Sequence, residues 1–136
     1  MILLDTDVLL DVAMDRAPYA EASAALLGAL EGAPRQAFVA WHSLSNFYYL
    51  VRPISGDADA RGFLRDLTSF VLVAPTQTPD FRFATDLTMN DFEDAMQVAA
   101  ARACGAETIV TRNVRDYRDA PVTAVEPARA LDLVIR

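Results

Sequence analysis

The chain has 136 residues, 53% of them apolar, with twelve arginines, no lysine and a formal net charge of −7. That length and apolar share suit one domain, residues 1–136, with a sizeable core, and exclude a disordered chain. Without lysine there is no P-loop, Schiff-base or lysine-catalysed chemistry; a single histidine and a single cysteine exclude multi-histidine sites, cysteine cages and intrachain disulfides; the acidic balance argues against broad electrostatic adhesion to nucleic acid.

The apolar run Ile2-Leu3-Leu4 stops at Asp5 and reads as a buried strand followed at once by a helix start. The spacing predicts a short helix over Val8–Ala13, with Asp7 as its cap. Asp5, Asp7 and Asp11 interrupt the apolar stretch, so neither a signal core nor a membrane span is expected there, and a cytoplasmic protein is the expectation. Pro18 is expected to open a second helix that ends near Gly32-Ala33-Pro34. Residues 36–40 read as a second strand. A third helix begins at His42-Ser43, carries Leu44, Phe47, Tyr48 and Val51 at helical spacing, and is expected to break at Pro53 and Gly56.

Residues 57–67 read as a helix, 70–74 as a third strand and 79–87 as a further helix. The clearest helix covers 91–104, is Ala-rich, and lies between a capping Asp91 and a terminating Gly105. A fourth strand is expected over 107–111, then the polar segment RNVRDYRDAP, a last strand over 122–125 and a closing helix over 127–133. Strands alternating with helices predict an α/β class, a three-layer α/β/α sandwich around a mostly parallel sheet.

In such a sheet the C-terminal strand ends gather on one edge, where α/β folds place ligands. Asp5 and Asp116 follow strands, and Asp94 sits in the first turn of the strongest helix, so the three carboxylates can meet. Two carboxylates about 4 Å apart repel by roughly 4 kcal/mol at an effective dielectric of 20. Convergence therefore calls for protons or a cation, and hard oxygen donors suit Mg²⁺ or Mn²⁺. Such an ion serves phosphodiester hydrolysis, which needs neither lysine nor a histidine pair. The bland alternative is that Asp91 and Asp94 form a capping-box-like pair and that Asp116 is an exposed turn residue.

The segments LLDTDVLLD (3–11), SLSNFYYL (43–50), DFEDAMQVAAA (91–101) and IVTRNVRDY (109–117) resemble, in order, those of the PIN-domain ribonucleases, including VapC-type toxins. The resemblance implies an α/β/α sandwich, RNA as substrate, products with 5′-phosphate and 3′-hydroxyl ends, a homodimer and an antitoxin partner. It implies Mg²⁺ or Mn²⁺ at Asp5, Asp94 and Asp116, supported by Thr111 and Asn113. Two positions depart from the family pattern. Asn46 stands where a helix Glu is usual and brings no charge; Asp7 stands where Asn or Ser is usual and adds a carboxylate that partly offsets it. A subgroup of the family resembling this chain carries Asn at the position of Asn46.

Asp91 is one turn before Asp94 and shares its face, while Glu93 lies about 100° around the helix from Asp94. His42 reads as a cap or surface residue, and Trp41, Tyr48 and Tyr49 as core or dimer packing rather than RNA-stacking groups. Cys104 reads as a buried small apolar residue. Arg112, Arg115 and Arg118 either grip phosphates or neutralise nearby acids. Two rivals stand beside the nuclease. DTDVL also resembles the start of haloacid-dehalogenase-type phosphatases, although their lysine is missing. A PIN-like module that binds RNA or protein without turnover is the other.

Overall fold

The computed structural model describes residues 1–134. Among them five strands form one parallel sheet: β1 (Ile2–Leu4), β2 (Ala37–Val39), β3 (Leu72–Val73), β4 (Thr108–Val110) and β5 (Thr123–Val125), in the spatial order β3-β2-β1-β4-β5. Period-two alternation divides the core in two. Ile2 and Leu4 point to one face and Leu3 to the other, and all three are buried. The first face is covered by α1 (Thr6–Ala13), α2 (Ala20–Glu31), α3 (Trp41–Ser55), α4 (Asp57–Leu67) and α7 (Pro127–Val134). The second is covered by α5 (Thr78–Asp86) and α6 (Phe92–Cys104). This is the three-layer α/β/α sandwich expected, because a parallel sheet survives only with both faces buried.

The small residues of α6 let it lie close on the sheet. Ala100 and Ala101 are buried against Leu3, Phe38 and Ile109 beneath the helix, and Ala95 and Ala99 are buried with Ala84 of α5. Burying a side chain such as Leu3 contributes about 1.5–3 kcal/mol. Gly105 ends the helix in the left-handed region, at φ 71°. No heavy atom lies within 4 Å of a Cβ built there, so Gly105→Ala is expected to cost backbone strain alone, about 1 kcal/mol. A urea titration read by circular dichroism checks this; a neutral substitution would mean the turn relaxes.

Several local expectations are corrected. The first helix starts at Thr6, and its cap is Asp5, whose Oδ1 accepts from Thr6 N at 2.7 Å. Asp7 sits inside the helix and does not cap it. The second helix starts at Ala20, two residues beyond Pro18. The third runs through Pro53 to Ser55 and stops only at Gly56, where φ is 90°. A proline so close to a helix C-terminus disturbs little of the ladder that follows. Leu72 and Val73 pair on one side only, at the sheet edge, so β3 is shorter than the apolar run around it. The polar segment after β4 contains a 3₁₀ turn, Val114–Tyr117.

Candidate functional site

With β1 in the centre, the chain moves to β2 on one side and to β4 on the other. The crevice beyond the C-terminal ends of β1 and β4 is the topological switch point, where α/β sheets bind ligands. Asp5 lies there because it directly follows β1; its backbone N–H donates to Val110 O at 2.9 Å, tying it to the end of β4. The carboxylate is buried. Its Oδ1 accepts from Thr6 N and, at 3.2 Å, from Gln97 Nε2 of α6; its Oδ2 accepts from the Tyr117 hydroxyl at 3.0 Å. Gln97 Nε2 also donates to Ser43 Oγ at 2.7 Å, and Thr6 Oγ1 donates to the same oxygen at 2.8 Å. This network fixes the orientation of Asp5 from α1, α3 and α6 together.

Asp94, in the first turn of α6, brings its Oδ1 to 3.1 Å from the same Tyr117 hydroxyl. A phenol has one hydrogen, so it can donate to one of these two carboxylates at a time. The other meets the oxygen only when that acid carries a proton. Burial, then repulsion from Asp91, Asp5 and Asp116, pushes Asp94 up to about 6. Burial also pushes Asp5 up, against hydrogen bonds from Thr111, Thr6 and Tyr117, with Asp116 adding repulsion. The Tyr117 hydroxyl, buried between two acids, is held far above the ordinary phenol range and stays neutral. Tyr117→Phe leaves both carboxylates without this donor and is expected to lower metal-free stability by about 1–3 kcal/mol. Chemical denaturation in EDTA checks this; an unchanged midpoint would show that water replaces the hydroxyl.

Asp116 is exposed on the 3₁₀ turn, and its charge raises both Asp5 and Asp94. It lines a cleft of about 380 Å³ with Asp91, Asp94, Arg115 and Arg118. Asn46, on α3, acts on Glu93, which is pushed up first by burial and then by Asp5 and Asp91, while Asn46 and Thr6 lower it. The structure thus joins Asp5 and Asp94 through the Tyr117 hydroxyl, while neither Asp116 nor Asn46 shares a hydrogen bond with them. Asp91 is used as the α6 cap, its Oδ1 accepting from Glu93 N at 2.8 Å and Asp94 N at 3.3 Å.

Asp7 ties α1 to the segment after β4. Its Oδ2 accepts from Asn113 Nδ2 at 2.9 Å, Thr111 Oγ1 at 3.1 Å and Arg112 N at 3.3 Å. Burial, then Asp5, pushes its carboxyl up to about 7. Arg112 neutralises buried Asp11, with Nε 2.9 Å from Oδ2, and lies over the Tyr19 ring. Trp41 and Tyr49 are 70% and 67% exposed, so they are not core. His42 makes no cap, and burial lowers its pKa. Cys104 is half-buried.

Gln97 and Tyr117 were missed at the sequence level. Gln97 had a signal: it is a polar side chain three residues after Asp94, on the buried face of an Ala-rich helix. Tyr117 had only its place beside Asp116.

Among the described residues no three His, Cys, Asp or Glu side chains converge as a ready ion cage. The donors still fit a hard dication. They are all oxygen, no Arg or His within salt-bridge reach neutralises Asp5 or Asp94 among the described residues, and Mg²⁺ commonly takes one or two carboxylates, water and a substrate phosphate. No helix among the described residues is long and apolar enough to cross a membrane.

A family model described as PIN domain matches residues 1–115. No curated protein matches the chain. Among solved structures, VapBC2 from Rickettsia felis, bound to a DNA fragment from its promoter, is similar at a TM-score of 0.67 and 15% identity, covering 93% of this chain and 98% of that one. VapC20 of Mycobacterium tuberculosis, described as a sarcin–ricin loop cleaving toxin, is similar at 0.62 and 17%, covering 80% and 87%. A toxin–antitoxin complex from Klebsiella pneumoniae is similar at 0.63 and 21%, covering 93% and 98%. At these identities the likeness is one of fold.

Proposed function

The chain belongs to the PIN-domain family, and we propose that it is an Mg²⁺- or Mn²⁺-dependent endoribonuclease, built as one domain, and the toxin of a toxin–antitoxin pair. The observation that carries this reading is the meeting of Asp5 and Asp94 on one hydroxyl at the switch point of the sheet. Two acids so placed share a deficit of positive charge that a dication relieves.

Asp5 and Asp94 are the proposed ligands, with Asp116 across the cleft as a third and Asn46 assisting. The ion, when bound, supplies charge neutralisation at a phosphoryl oxygen and makes water more acidic. The chain's own groups do the rest. Gln97, Thr6 and Tyr117 hold the Asp5 carboxylate in one orientation. In the metal-free chain Asp94 is pushed up to about 6, so binding of the ion there is expected to displace a proton. Arg115 and Arg118 line the cleft and offer guanidinium groups to phosphate oxygens. With a net charge of −7, RNA binding rests on such local contacts rather than on a basic surface.

The exposed Tyr49, Leu50 and Ile54 on α3 suit protein contact, and we assign them to self-association or to an antitoxin segment. The fold likeness to toxin–antitoxin complexes supports that assignment. Family membership leaves the phosphatase reading without support. Mn²⁺ titration followed by RNA cleavage, each with EDTA controls, tests the reading. Absence of divalent-ion binding at millimolar concentration would sink it, and binding without cleavage would favour a module that holds RNA or protein without turnover.

A further inference from the structure

Asp5 and Asp94 are held to different degrees. Asp5 Oδ1 takes two donors, Thr6 N and Gln97 Nε2, independently of Tyr117. The Asp94 carboxylate is half-buried in the first turn of α6. Among the described residues it has one hydrogen-bond partner, the Tyr117 hydroxyl at 3.1 Å. The charges of Asp91, Asp5 and Asp116 all repel it. An aspartate so placed has several staggered rotamers open to it, and repulsion favours those that turn away from Asp5.

Tyr117 opposes this from a fixed position. The residue is 2% exposed, in the same buried cluster as Leu3, Val98 and Ile109. The 3₁₀ turn that carries it is tied at both ends. Asn113, just before the turn, donates Nδ2 to Asp7 Oδ2 at 2.9 Å and its backbone N–H to Thr111 Oγ1 at 3.0 Å. Beyond the turn, Ala120 N donates to Tyr117 O at 3.0 Å. A hydroxyl mounted in this way does not follow Asp94 outward; Asp94 comes to it. The hydroxyl has one hydrogen. Asp5 keeps its orientation through Thr6 and Gln97 without it, so the acid whose placement depends on it is Asp94.

We propose that Tyr117 is a positioning residue of the ion site: its hydroxyl draws the Asp94 carboxylate in beside Asp5, so that the two ligands stand about one point before an ion binds. Tyr117 acts through Asp94. A carboxylate fixed by its own hydrogen bond binds an ion more tightly, because the cost of ordering it is met in the metal-free chain. The ion rests on the nuclease reading; the hold on Asp94 rests on the hydrogen bond alone.

Three-bond NMR couplings of the purified protein in EDTA read the χ1 rotamer of Asp94. The expected result is one rotamer in wild type and averaging over several in Tyr117→Phe, which keeps the ring and removes the oxygen. The wild-type couplings need no variant to fold. With EDTA removed and no RNA present, the EPR signal of free Mn²⁺ gives the affinity. Tyr117→Phe is expected to bind about tenfold more weakly, the low end of what is lost when a hydrogen-bond partner of a ligand is removed. Ile109→Val thins the same core by one methylene and leaves the hydroxyl in place, so it is expected to bind as wild type does. Averaged couplings in wild type, a rotamer unchanged in Tyr117→Phe, binding in that variant within twofold of wild type or tighter, or an equal loss in Ile109→Val would overturn the positioning role. A wild type that holds Asp94 in one rotamer and binds no divalent ion loses the nuclease reading and keeps the hold of Tyr117 on Asp94. One that binds the ion equally well without the hydroxyl loses the positioning role alone.

Discussion

Asp5→Asn is expected to lower Mn²⁺-dependent RNA cleavage by more than about 100-fold, beyond what is usually lost when a merely supporting residue of a metal site is removed. The substitution isolates charge. Asn caps a helix about as well as Asp, so its Oδ1 keeps the bonds from Thr6 N and Gln97 Nε2. Its Nδ2 takes the place of Oδ2 and can donate to the Tyr117 oxygen. The fold therefore survives while one of the three proposed ion-holding charges is gone. Asp94→Asn is expected to act likewise, and it leaves the α6 cap intact because Asp91 performs it. Cleavage of a labelled RNA and Mn²⁺ affinity, measured on the same preparations, decide the matter. An Asp5→Asn protein that cuts within threefold of wild type would remove Asp5 from the site.

Metal-free stability is expected to fall as pH rises from about 5 to about 8.5, the reverse of ordinary acid denaturation. Asp7 is pushed up to about 7 in the folded chain, from the ordinary aspartate value of 3.8, because it is buried and faces Asp5. Between those values the folded state binds more protons than the unfolded state, so raising pH favours unfolding. The stabilisation is fully present below about 3.8 and is lost as pH passes through about 7. Across that window Asp7 alone accounts for about 2–3 kcal/mol. Asp94, raised to about 6 but partly exposed and so better screened, adds less in the same direction. Asp7→Asn is expected to flatten the slope and to raise stability at about pH 8.5, since its carbonyl can keep accepting from Asn113, Thr111 and Arg112 N. Urea unfolding at the two pH values in EDTA reads both effects. Stability that rises across this window, or an Asp7→Asn protein less stable than wild type at the upper pH, would show that Asp7 is held ionised by its three donors.

The linear chain by itself determined the layers, because period-two and period-3.6 burial are local properties of the sequence. It placed α4 correctly at both ends, and it marked both limits of α6 through Asp91 and Gly105, where a side-chain cap and a left-handed turn act within a few residues. It also placed Asp5 at a strand end, since nothing separates Ile2-Leu3-Leu4 from the acid. What only the tertiary structure decided is which acid does what. Asp5 rather than Asp7 caps α1, because the choice depends on where the backbone turns as it leaves the sheet. Asp94 meets Asp5 through Tyr117, and Gln97 aligns Asp5, contacts between residues distant in sequence. Such pairings depend on the strand order that sets β1 against both β2 and β4, and no local periodicity carries that order.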